Sequence, residues 1–558
     1  MEPDRFHHRH PPAEARRRIH LIPPRAARVH HHVWSSNLMA TPLPAAGVLD
    51  AMGWHSIADY GAVGDGTTDD APAIQAALDD AYTAGGGVVV FPPGKVYAVG
   101  TFIVTKARTT LLAYGATIKS IHAARGCLRN FMPDDSFTGH NGHSDITVLG
   151  GTWDGNAYKQ ADGTGIVASM TNVMTFIHCG RITVRDATIR DTCGAHALEL
   201  NAVSGATVSN CRFEGFIDNS ADQSRVTSEF VEIDIAKSGS SAIGAFDGTP
   251  CEDINFTGCW FGPSARLPAA GRAIGSHGIV AGAYYDRITV RDCIILGTTA
   301  DCGIRALYWR DSEISSNRIS GTATEGIYAL TDAAAGHACT GLTISRNQVG
   351  SSGANAGIRV TALAGALWSD VSIENNIVKS ANAYGIRADF TPGVLIHGNR
   401  VVSSTKGGIL AQESTRATVT DNQVAGSGSN AINVAGCPSA VVNDNLVDGT
   451  ASNHGIAIGA AATSNGGNAV VQGNHIRGVA AAGIRLTAPG CLVTGNQVRK
   501  DGGRTANGIT MASTATGCVI AGNDLTGNGW APATAIVAAG APVLDWAGGT
   551  TSPGHNRI

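Results

Sequence analysis

Short segments of alternating apolar and polar residues run through most of the chain, and from about residue 180 they repeat. Each repeat has an apolar residue, two variable residues, Asn or Cys, one further residue and another apolar residue. Examples are ISRNQV (344–349), IHGNRV (396–401) and VTGNQV (493–498). A second phrase of the type GIRA follows about ten residues after the repeated Asn. Alternation with a period of two residues predicts short β-strands.

The spacing of the repeats predicts how these strands are arranged. The repeated Asn positions lie 22 to 30 residues apart, and no segment between them has helical periodicity. Two or three strands per repeat without a helix are typical of a coil of parallel strands that stacks on itself. The sequence therefore predicts an all-β fold, a parallel β-helix, whose coils we assign to residues 126–558.

The repeated Asn is predicted to lie above its counterpart in the next turn and to bond along the stack. This predicted ladder consists of Asn317, Asn347, Asn376, Asn399, Asn422, Asn445, Asn474, Asn496 and Asn523. Cys211, Cys259 and Cys293 occupy the same position in earlier repeats. We therefore expect the 12 cysteines to be mostly free, buried thiols, which do not indicate a compartment.

Two segments precede the predicted coils. Residues 1–50 are predicted to be a disordered leader rich in Arg and His, without the apolar stretch of a secretory signal. Residues 51–125 are predicted to cap the open end of the β-helix with an amphipathic helix. Thr68 or Asp69 is expected at its N-cap and Gly85 at its end. Its apolar face is predicted to consist of Ile74, Ala77, Leu78 and Ala81.

The segment SEFVEIDI (228–235) brings three carboxylates into one predicted strand. Because side chains alternate, Val231, Ile233 and Ile235 are expected to face the core. Glu232 and Asp234 are then expected to face solvent together with Phe230. Glu229 is expected at the inward edge of the strand or in the preceding turn.

The same alternation places Glu199, His277 and Arg305 outward on neighbouring turns. Stacked strands lie about 4.8 Å apart, so Glu199, Glu232, Asp234, His277 and Arg305 are predicted to form one outer patch. The linkers beside the patch are long, with 48 residues from Cys211 to Cys259 and 34 from Cys259 to Cys293. Long loops at such a place are typical of cleft walls.

Paired carboxylates suit the cleavage of a glycosidic bond, where one acid protonates the leaving oxygen and another activates water or attacks carbon. Crowding raises the pKa of at least one carboxyl group. Asp234 or Glu232 is predicted as the acid and Glu199 as its partner. Arg225 and Arg272, in the flanking loops, are candidates to clamp a carboxylate or sulfate of the substrate. Candidate sugar-stacking aromatics are Phe246, Trp260, Tyr284 and Tyr285, although Trp260 lies in a ladder phrase and also suits simple packing.

The segment DYGAVGDGTTDDAPAIQAALDDA (59–81), followed by GGGVVVFPPGKVY (85–97), resembles the N-terminal part of the pectate lyase and polygalacturonase superfamily, which includes phage tail relatives. The resemblance implies a right-handed coil, action on or binding to polysaccharide, and an extracellular location. GSHG (275–278) and GIRA (303–306) are similar to polygalacturonase motifs.

By that similarity Asp234 would act as acid or base, His277 would orient a carboxylate, and Arg305 would bind an acidic sugar. The adjacent Asp pair of the family is missing, since this stretch offers only Asp247 and Asp253. The resemblance therefore leaves the water-activating role without a residue.

We predict a carbohydrate-active enzyme, a glycoside hydrolase that needs no metal or other cofactor and acts on an acidic polysaccharide. One alternative is a lyase or epimerase of the pectate lyase type, which needs a base and an Arg, Lys or Ca²⁺ beside the uronate. In that case Glu199, Glu232 and Asp234 are the candidate Ca²⁺ ligands. The other alternative is a non-catalytic glycan-binding or tail-spike-like protein.

The net charge and the hydropathy of the chain limit the kinds of partner that we expect it to bind. The net charge of −4 gives no general basis for nucleic acid binding. No run of 18 apolar residues is present, so no membrane span is expected. We expect the protein to be a monomer or a homotrimer, with a polysaccharide substrate as its partner.

Overall fold

A computed structural model describes residues 53–122, 126–157, 171–237, 244–332, 336–350, 352–500, 506–526, 530, 532–539, 543–544 and 556–557. The predicted leader (1–50) lies outside the described residues. The boundary placed at residue 125 stays a prediction, because residues 123–125 also lie outside them.

The strands stack as a parallel β-helix, as the repeats predicted. Each regular turn contributes three strands, for example Tyr384–Asp389, Leu395–His397 and Arg400–Val402. The first two belong to one sheet, here called sheet A, and the third belongs to sheet B. Within the described residues, sheet A has 34 strands and sheet B has 16, and neighbouring strands within each sheet are parallel. The β-helix predicted from sequence is confirmed.

Sheet A has two stripes, one for each of its strands in a turn. They count as one sheet because two long strands, Met174–Arg185 and Leu198–Ser209, run through both. The strands of sheet A are Trp54–Ser56, Gly87–Val90, Ile103–Val104, Thr109–Leu112, Leu128–Arg129, Ile146–Leu149, Met174–Arg185, Leu198–Ser209, Glu229–Asp234, Glu252–Thr257, Arg272–Gly275, Tyr285–Asp286, Thr289–Arg291, Ile304–Leu307, Trp309–Arg310, Ser312–Ser315, Ile327–Leu330, Cys339–Ser345, Ala356–Thr361, Trp368–Glu374, Tyr384–Asp389, Leu395–His397, Ile409–Gln412, Thr418–Thr420, Ile432–Ala435, Val441–Asn443, Ile456–Gly459, Val470–Gln472, Ala482–Leu486, Leu492–Thr494, Asn507–Met511, Cys518–Ala521, Ile536–Ala538 and Val543–Leu544.

Sheet B contains one strand from each regular turn. Its strands are Asp65–Asp69, Val96–Val99, Thr117–Ser120, Thr152–Asp154, Thr188–Cys193, Arg212–Ile217, Trp260–Gly262, Ile294–Leu296, Arg318–Ser320, Gln348–Gly350, Ile377–Lys379, Arg400–Val402, Gln423–Ser427, Leu446–Thr450, His475–Arg477 and Gln497–Arg499. Helical structure is limited to the helices Ala71–Thr83 and Pro532–Ala535 and a 3-10 turn at Ile57–Tyr60, among the residues described.

The core is one continuous apolar column inside the coil, because each turn places similar side chains at the same inward position. Val208, Phe256, Val290 and Ile314 follow one another in register and are fully buried. Such stacking buries apolar surface between each turn and the next, which stabilises the array turn by turn.

The predicted Asn ladder is confirmed. From Asn317 onward, the backbone N–H and the Nδ2 of each ladder Asn donate to Oδ1 of the ladder Asn in the next turn, at 2.8 to 3.1 Å. The ladder continues past the predicted end, because Asn523 donates to Asn556. All 12 cysteines are free and buried, in agreement with the expectation from their positions.

The helix Ala71–Thr83 buries the predicted apolar face, Ile74, Ala77, Leu78 and Ala81. Its N-cap is Asp70, so the prediction of Thr68 or Asp69 was wrong. Asp69 instead accepts hydrogen bonds from the N–H groups of Ala71 and Gly100. Gly85 follows the end of the helix with a φ of +97°, a conformation that favours glycine. Neither described helix is both long enough and apolar enough to cross a bilayer.

Candidate functional site

The residues predicted to form the site lie on the first stripe of sheet A. Four strands there are neighbours in the stack: Leu198–Ser209, Glu229–Asp234, Arg272–Gly275 and Ile304–Leu307. Glu199 lies opposite Glu232, Glu232 opposite Gly275, and Gly275 opposite Arg305. The structure thus brings these residues into one column, with Asp234 and His277 beside it.

The carboxylates are not the exposed patch that the alternation predicted. Glu199, Glu232 and Asp234 are 5, 5 and 4% exposed, whereas the side chain of His277 is 36% exposed and Arg305 is partly exposed. The prediction that the acids face solvent was wrong. Asn172 donates to Glu199, and Tyr285 and Gly278 donate to Asp234. These neighbours, contributed by other turns and loops, cover the acids from outside.

Glu232 lies at the centre of the cluster, between two imidazole rings. Its Oε2 is 2.8 Å from Nε2 of His196, and its Oε1 is 2.8 Å from Nε2 of His277. The ring centroids lie 6.1 Å apart. His277 thus contacts a carboxylate, and the orienting role that the family resemblance implies for it stays a prediction. His196 was not predicted, although it lies three residues before Glu199 and the same register places it beside the strand of Glu232.

Glu229 is the fourth acid of this cluster, which the sequence analysis did not place there. It is 1% exposed, and its Oε1 lies 2.9 Å from Nη1 of Arg272 and 3.5 Å from Nδ1 of His277. Its predicted place at the inward edge was wrong. Phe230, predicted to face solvent, is buried in the core, 6.5 Å from the ring of Phe261. Alternation fails here because two consecutive residues, Phe230 and Val231, both face inward at the start of the strand.

Asp234 is held by close contacts with neighbouring groups. Its Oδ1 accepts hydrogen bonds from the Gly278 N–H at 2.8 Å and the Tyr285 hydroxyl at 2.7 Å. Tyr285 is itself buried, so the predicted role in stacking on sugar was wrong for this ring. A Cβ at position 278 would lie 1.9 Å from Oδ1 of Asp234, so only glycine fits there.

The pKa values of the acids are pushed in opposite directions. Burial, together with the charge of Glu232, raises the pKa of Glu199 to about 8 and that of Asp234 to about 6. Burial alone would also raise the pKa of Glu232, but His196 and His277 hold it well below its usual value. Of the two residues predicted as the acid, these shifts favour Asp234 over Glu232, and they make Glu199 a second candidate.

The cations of the cluster are stabilised by the same contacts. Burial opposes the charge of His277, but Glu232 and Glu229 raise its pKa to about 11. The pKa of His196 is also raised, because Glu232 and Glu229 outweigh its burial. His277 and Arg272 lower the pKa of Glu229 to about 2 against the effect of burial. The cluster thus pairs buried anions with cations, while the raised pKa values let Glu199 and Asp234 keep their protons to a higher pH than ordinary carboxyl groups.

The three predicted substrate-binding arginines differ in their contacts. Arg305 is partly exposed and donates weakly to the Ser276 carbonyl, at 3.4 Å. Arg272 is engaged inside the protein by Glu229 and Asp301, which argues against a clamp for substrate. Arg225 donates to the Gly194 carbonyl at 2.8 Å and holds its loop against the coil.

Three residues of the cluster carry side chains that could act as ligands of a cation. Glu232, Asp234 and His277 offer ligand atoms that all lie within 4.8 Å of one another. Ca²⁺ takes six to eight oxygen ligands, whereas both oxygens of Glu232 are paired with imidazoles and Oδ1 of Asp234 accepts two hydrogen bonds. The residues as arranged do not fit Ca²⁺.

Two family models match the chain and together cover most of it. Residues 54–328, which include the whole cluster, match the model described as rhamnogalacturonase A/epimerase, pectate lyase-like. Residues 367–552 match the model of the right-handed β-helix region. The chain belongs to the pectate-lyase-like superfamily of right-handed β-helix proteins. The handedness implied by the resemblance is confirmed.

Individual relatives of this superfamily member differ in activity. Plasmin and fibronectin-binding protein A of Streptococcus pneumoniae is 29% identical over 238 residues, which are 40% of this chain and 33% of that protein. The mannuronan C5-epimerase AlgE3 of Azotobacter vinelandii is 51% identical over 53 residues, 10% of this chain and 3% of the epimerase. The chain thus spans a third or less of the length of these curated relatives.

A solved structure supports the architecture. The Streptococcus pneumoniae surface protein and adhesin PfbA aligns over 71% of this chain and 98% of its own, with 20% identity and a TM-score of 0.54. At that identity the likeness concerns the fold alone.

Proposed function

We propose that this chain is a polysaccharide-acting enzyme that uses the acid–histidine cluster (Glu199, Glu229, Glu232, Asp234, His196 and His277) for acid–base catalysis. The observation that carries the proposal is the opposite shift of neighbouring carboxyl groups: Glu199 and Asp234 have raised pKa values, about 8 and about 6, beside an ionised Glu232. Acid–base catalysis on a glycosidic bond needs such a pair, one protonated and one charged.

Hydrolysis of a glycosidic bond is the reaction that this pair supports best. Protonated Asp234 or Glu199 would donate its proton to the leaving oxygen as the glycosidic C–O bond breaks, water would add to the sugar carbon, and a proton of that water would return to the deprotonated acid. Glu232 would stabilise positive charge that develops on the sugar ring, and the two imidazoles would keep Glu232 ionised and in place. Glu199 lies one strand spacing, about 4.8 Å, from Glu232, and Asp234 lies two residues further along the strand of Glu232.

A column of outward residues next to the cluster favours an acidic substrate. Arg305, Tyr328, Arg359 and Arg387 follow one another at the same outward position on successive turns. Arg359 stacks on Tyr328 at 4.9 Å and pairs with Glu325, and Arg387 pairs with Asp389. Arg305 has no ion pair of this kind among the described residues. A chain of sugars with carboxylates would meet this column as it leaves the cluster.

Elimination or epimerisation at a uronate is the second candidate. It is favoured by the family model over residues 54–328 and by the similarity to mannuronan C5-epimerase AlgE3. His277 and Arg305, both cationic, would neutralise the uronate carboxylate, and an ionised acid of the cluster would remove the adjacent proton. In elimination the glycosidic C–O bond would then break while a protonated acid of the cluster donates to the leaving oxygen, whereas in epimerisation a proton would return to the same carbon from its opposite face.

A non-catalytic role in binding is the third candidate, favoured by the 29% identity to plasmin and fibronectin-binding protein A and by the low exposure of the acids. Under this hypothesis the cluster would be a structural ion network. Light scattering would then show whether the coils assemble as a trimer.

One experiment distinguishes the three candidate functions. The purified full chain is incubated with polygalacturonate, polymannuronate and neutral glucans, and products are analysed for reducing ends, for the ultraviolet absorbance of unsaturated sugars and, by NMR, for changed uronate configuration. New reducing ends without unsaturation support hydrolysis, unsaturation indicates elimination, and changed configuration without cleavage indicates epimerisation. Binding of the same polymers without any product would exclude the enzyme.

A further inference from the structure

A groove of about 480 Å³ runs along the outer face of sheet B, on the other sheet from the acid–histidine cluster. It crosses five consecutive turns, from the strand Trp260–Gly262 to the strand Ile377–Lys379. Four strand spacings of about 4.8 Å give a length of about 19 Å. The groove is therefore long enough for a short stretch of an extended polymer.

Two columns of outward residues form its floor. The first column is Trp260, Ile294, Arg318, Gln348 and Ile377, and the second includes Leu296, Ser320, Gly350 and Lys379. Apolar surface thus alternates with hydrogen-bonding groups along the groove. A pyranose ring has the matching character, with C–H groups on its faces and hydroxyl groups at its edge.

Trp260 closes one end of the groove in a fixed orientation. A Cβ at position 262 would lie 2.6 Å from Cη2 of Trp260, so the indole lies along its own strand over Gly262. The guanidinium of Arg212 stacks on the ring, 4.0 Å from its centre, and pairs with Glu214. An aromatic ring that is already ordered loses little entropy when a ligand packs on it.

Gly350 leaves the middle of the groove open. It lies between Ser320 and Lys379 in the second column, and a Cβ added there would meet nothing within 4 Å. Its φ is outside the left-handed region, so the backbone does not require glycine. The missing side chain therefore creates space rather than a special turn, and a larger residue would fill the groove without strain.

The charges along the groove have one sign. Arg318 and Lys379 are exposed, and no Asp or Glu is among the residues that line the groove. Within the described part of the chain, neither of these two cations forms an ion pair. Their charge is thus available to an anion, and it favours a polymer that carries carboxylates or sulfates.

We propose that this groove is a second, non-catalytic binding site for an acidic polysaccharide. A sugar ring packs on Trp260, the polymer passes over Gly350, and its anionic groups pair with Arg318 and Lys379. The site holds the polymer on sheet B independently of any reaction at the acid–histidine cluster.

The test uses the full chain with three groove variants, Trp260→Ala, Gly350→Phe and the double variant Arg318→Gln/Lys379→Gln. Ala425→Phe is the matched control, because Ala425 lies in the same outward column beyond Lys379 and Val402. Binding of oligogalacturonate and of a neutral glucan oligomer is measured by calorimetry at low and high salt. Hydroxyl-radical footprinting reports whether the ligand protects Trp260.

We expect each groove variant to bind oligogalacturonate roughly tenfold more weakly, which is the change from the loss of one good contact. Wild type and the control should bind alike, more weakly at high salt, and the ligand should protect Trp260 in both. Unchanged affinity in Gly350→Phe, or equal affinity for the neutral oligomer, would overturn the proposal. So would a change of oligomeric state in Gly350→Phe, since the groove would then be an interface between copies of the chain.

This experiment does not depend on the proposed enzyme. Products formed from polysaccharide report on the acid–histidine cluster, whereas binding and footprinting report on the groove. Groove variants that keep full turnover of a short oligomer but lose the binding seen by footprinting would separate the two sites.

Discussion

Glu199 and Glu232 lie directly opposite each other on neighbouring strands, yet their carboxyl groups prefer different protonation states. Glu232 is paired with two imidazoles, whereas Glu199 accepts hydrogen bonds only from the neutral amides of Asn172 and Asn201, among the described contacts. The negative charge of Glu232 therefore adds to the burial of Glu199 and favours its neutral form. Two identical side chains in one column thus become an acid and an anion.

The proposed acids can be tested by removing the ionisable group alone. Glu199→Gln and Asp234→Asn keep the shape of the side chain, and loss of the true general acid should lower kcat by about 10²- to 10⁴-fold. Initial rates on the active polysaccharide measure the loss. Glu313→Gln, on the second stripe of sheet A and partly exposed, is the matched control and should keep full activity. Full activity in both site variants would remove the cluster from the mechanism.

The pH dependence of kcat should reveal which carboxyl is the acid. A general acid must be protonated, so the rate falls as pH rises through its pKa. If Asp234 is the acid, activity should decline above about pH 6, and if Glu199 is the acid, above about pH 8. A pH–rate profile of the wild type and of both variants measures this. A profile that rises steadily through both values would contradict an acid role for either residue.

The raised pKa of Glu199 also predicts how the stability of the fold depends on pH. The pKa of Glu199 is raised from 4.5 to about 8 in the folded state. Between these values the unfolded chain releases a proton that the folded chain keeps, so this group lowers stability as pH rises from about 4.5 to about 8. Thermal unfolding of wild type should therefore show a falling Tm over that interval. Glu199→Gln should show a smaller fall, and an identical fall would contradict the raised pKa.

The Asn ladder should contribute strongly to stability. In Asn422→Ala, the Asn399 N–H loses its acceptor at 3.0 Å, and the carbonyl of Ile396 loses a donor at 2.8 Å. Each buried polar group left without a partner costs about 1 to 3 kcal/mol, so we expect a loss of about 2 to 6 kcal/mol. Denaturant unfolding measures it. Asn433→Ala, at an outward position of sheet A, is the control and should change stability by less than about 0.5 kcal/mol.

The arginine column should act on substrate binding rather than on chemistry. Arg305→Gln removes the arginine of this column that lies nearest the cluster, so KM for an acidic polymer should rise roughly tenfold with little change in kcat. Arg485→Gln is the matched control, because Arg485 lies opposite Ala457 in the same sheet, several turns away. Steady-state kinetics at two salt concentrations measure both. An equal effect of the two variants would show that only overall charge matters.

The periodic parts of the molecule were predictable from sequence, because each repeat reports the same local environment many times. The ladder from Asn317 to Asn523 and the alignment of Glu199 with Glu232 follow from the period of two and from the spacing of the turns. The helix face was predictable for the same reason, since Ile74 and Leu78 lie one helical turn apart.

The residues that bury the acids of the site and pair with them were not predictable, because they lie where the period-two alternation of the strands is interrupted. Burial of the acids depends on Asn172 and Tyr285, which lie far from them in sequence. Glu229 and Phe230 lie where the strict alternation of the strand breaks down, so period-two reasoning put both on the wrong side. Arg272 could be placed near the patch, but its partners Glu229 and Asp301 could not be read from spacing.

At one position of the turn, the side chain changes from Cys to Asn along the stack. This change divides the coil into two regions that differ in how well they tolerate insertions. Cys211, Cys259 and Cys293 mark the turns with the cluster and its long insertions, whereas the Asn chain begins at Asn317 and runs to Asn556. An amide column demands the same geometry in every turn, while a stack of small thiols makes no such demand. Insertions between turns should therefore cost less stability in the thiol region than in the amide region, where each added turn would have to extend the Asn–Asn hydrogen bonds.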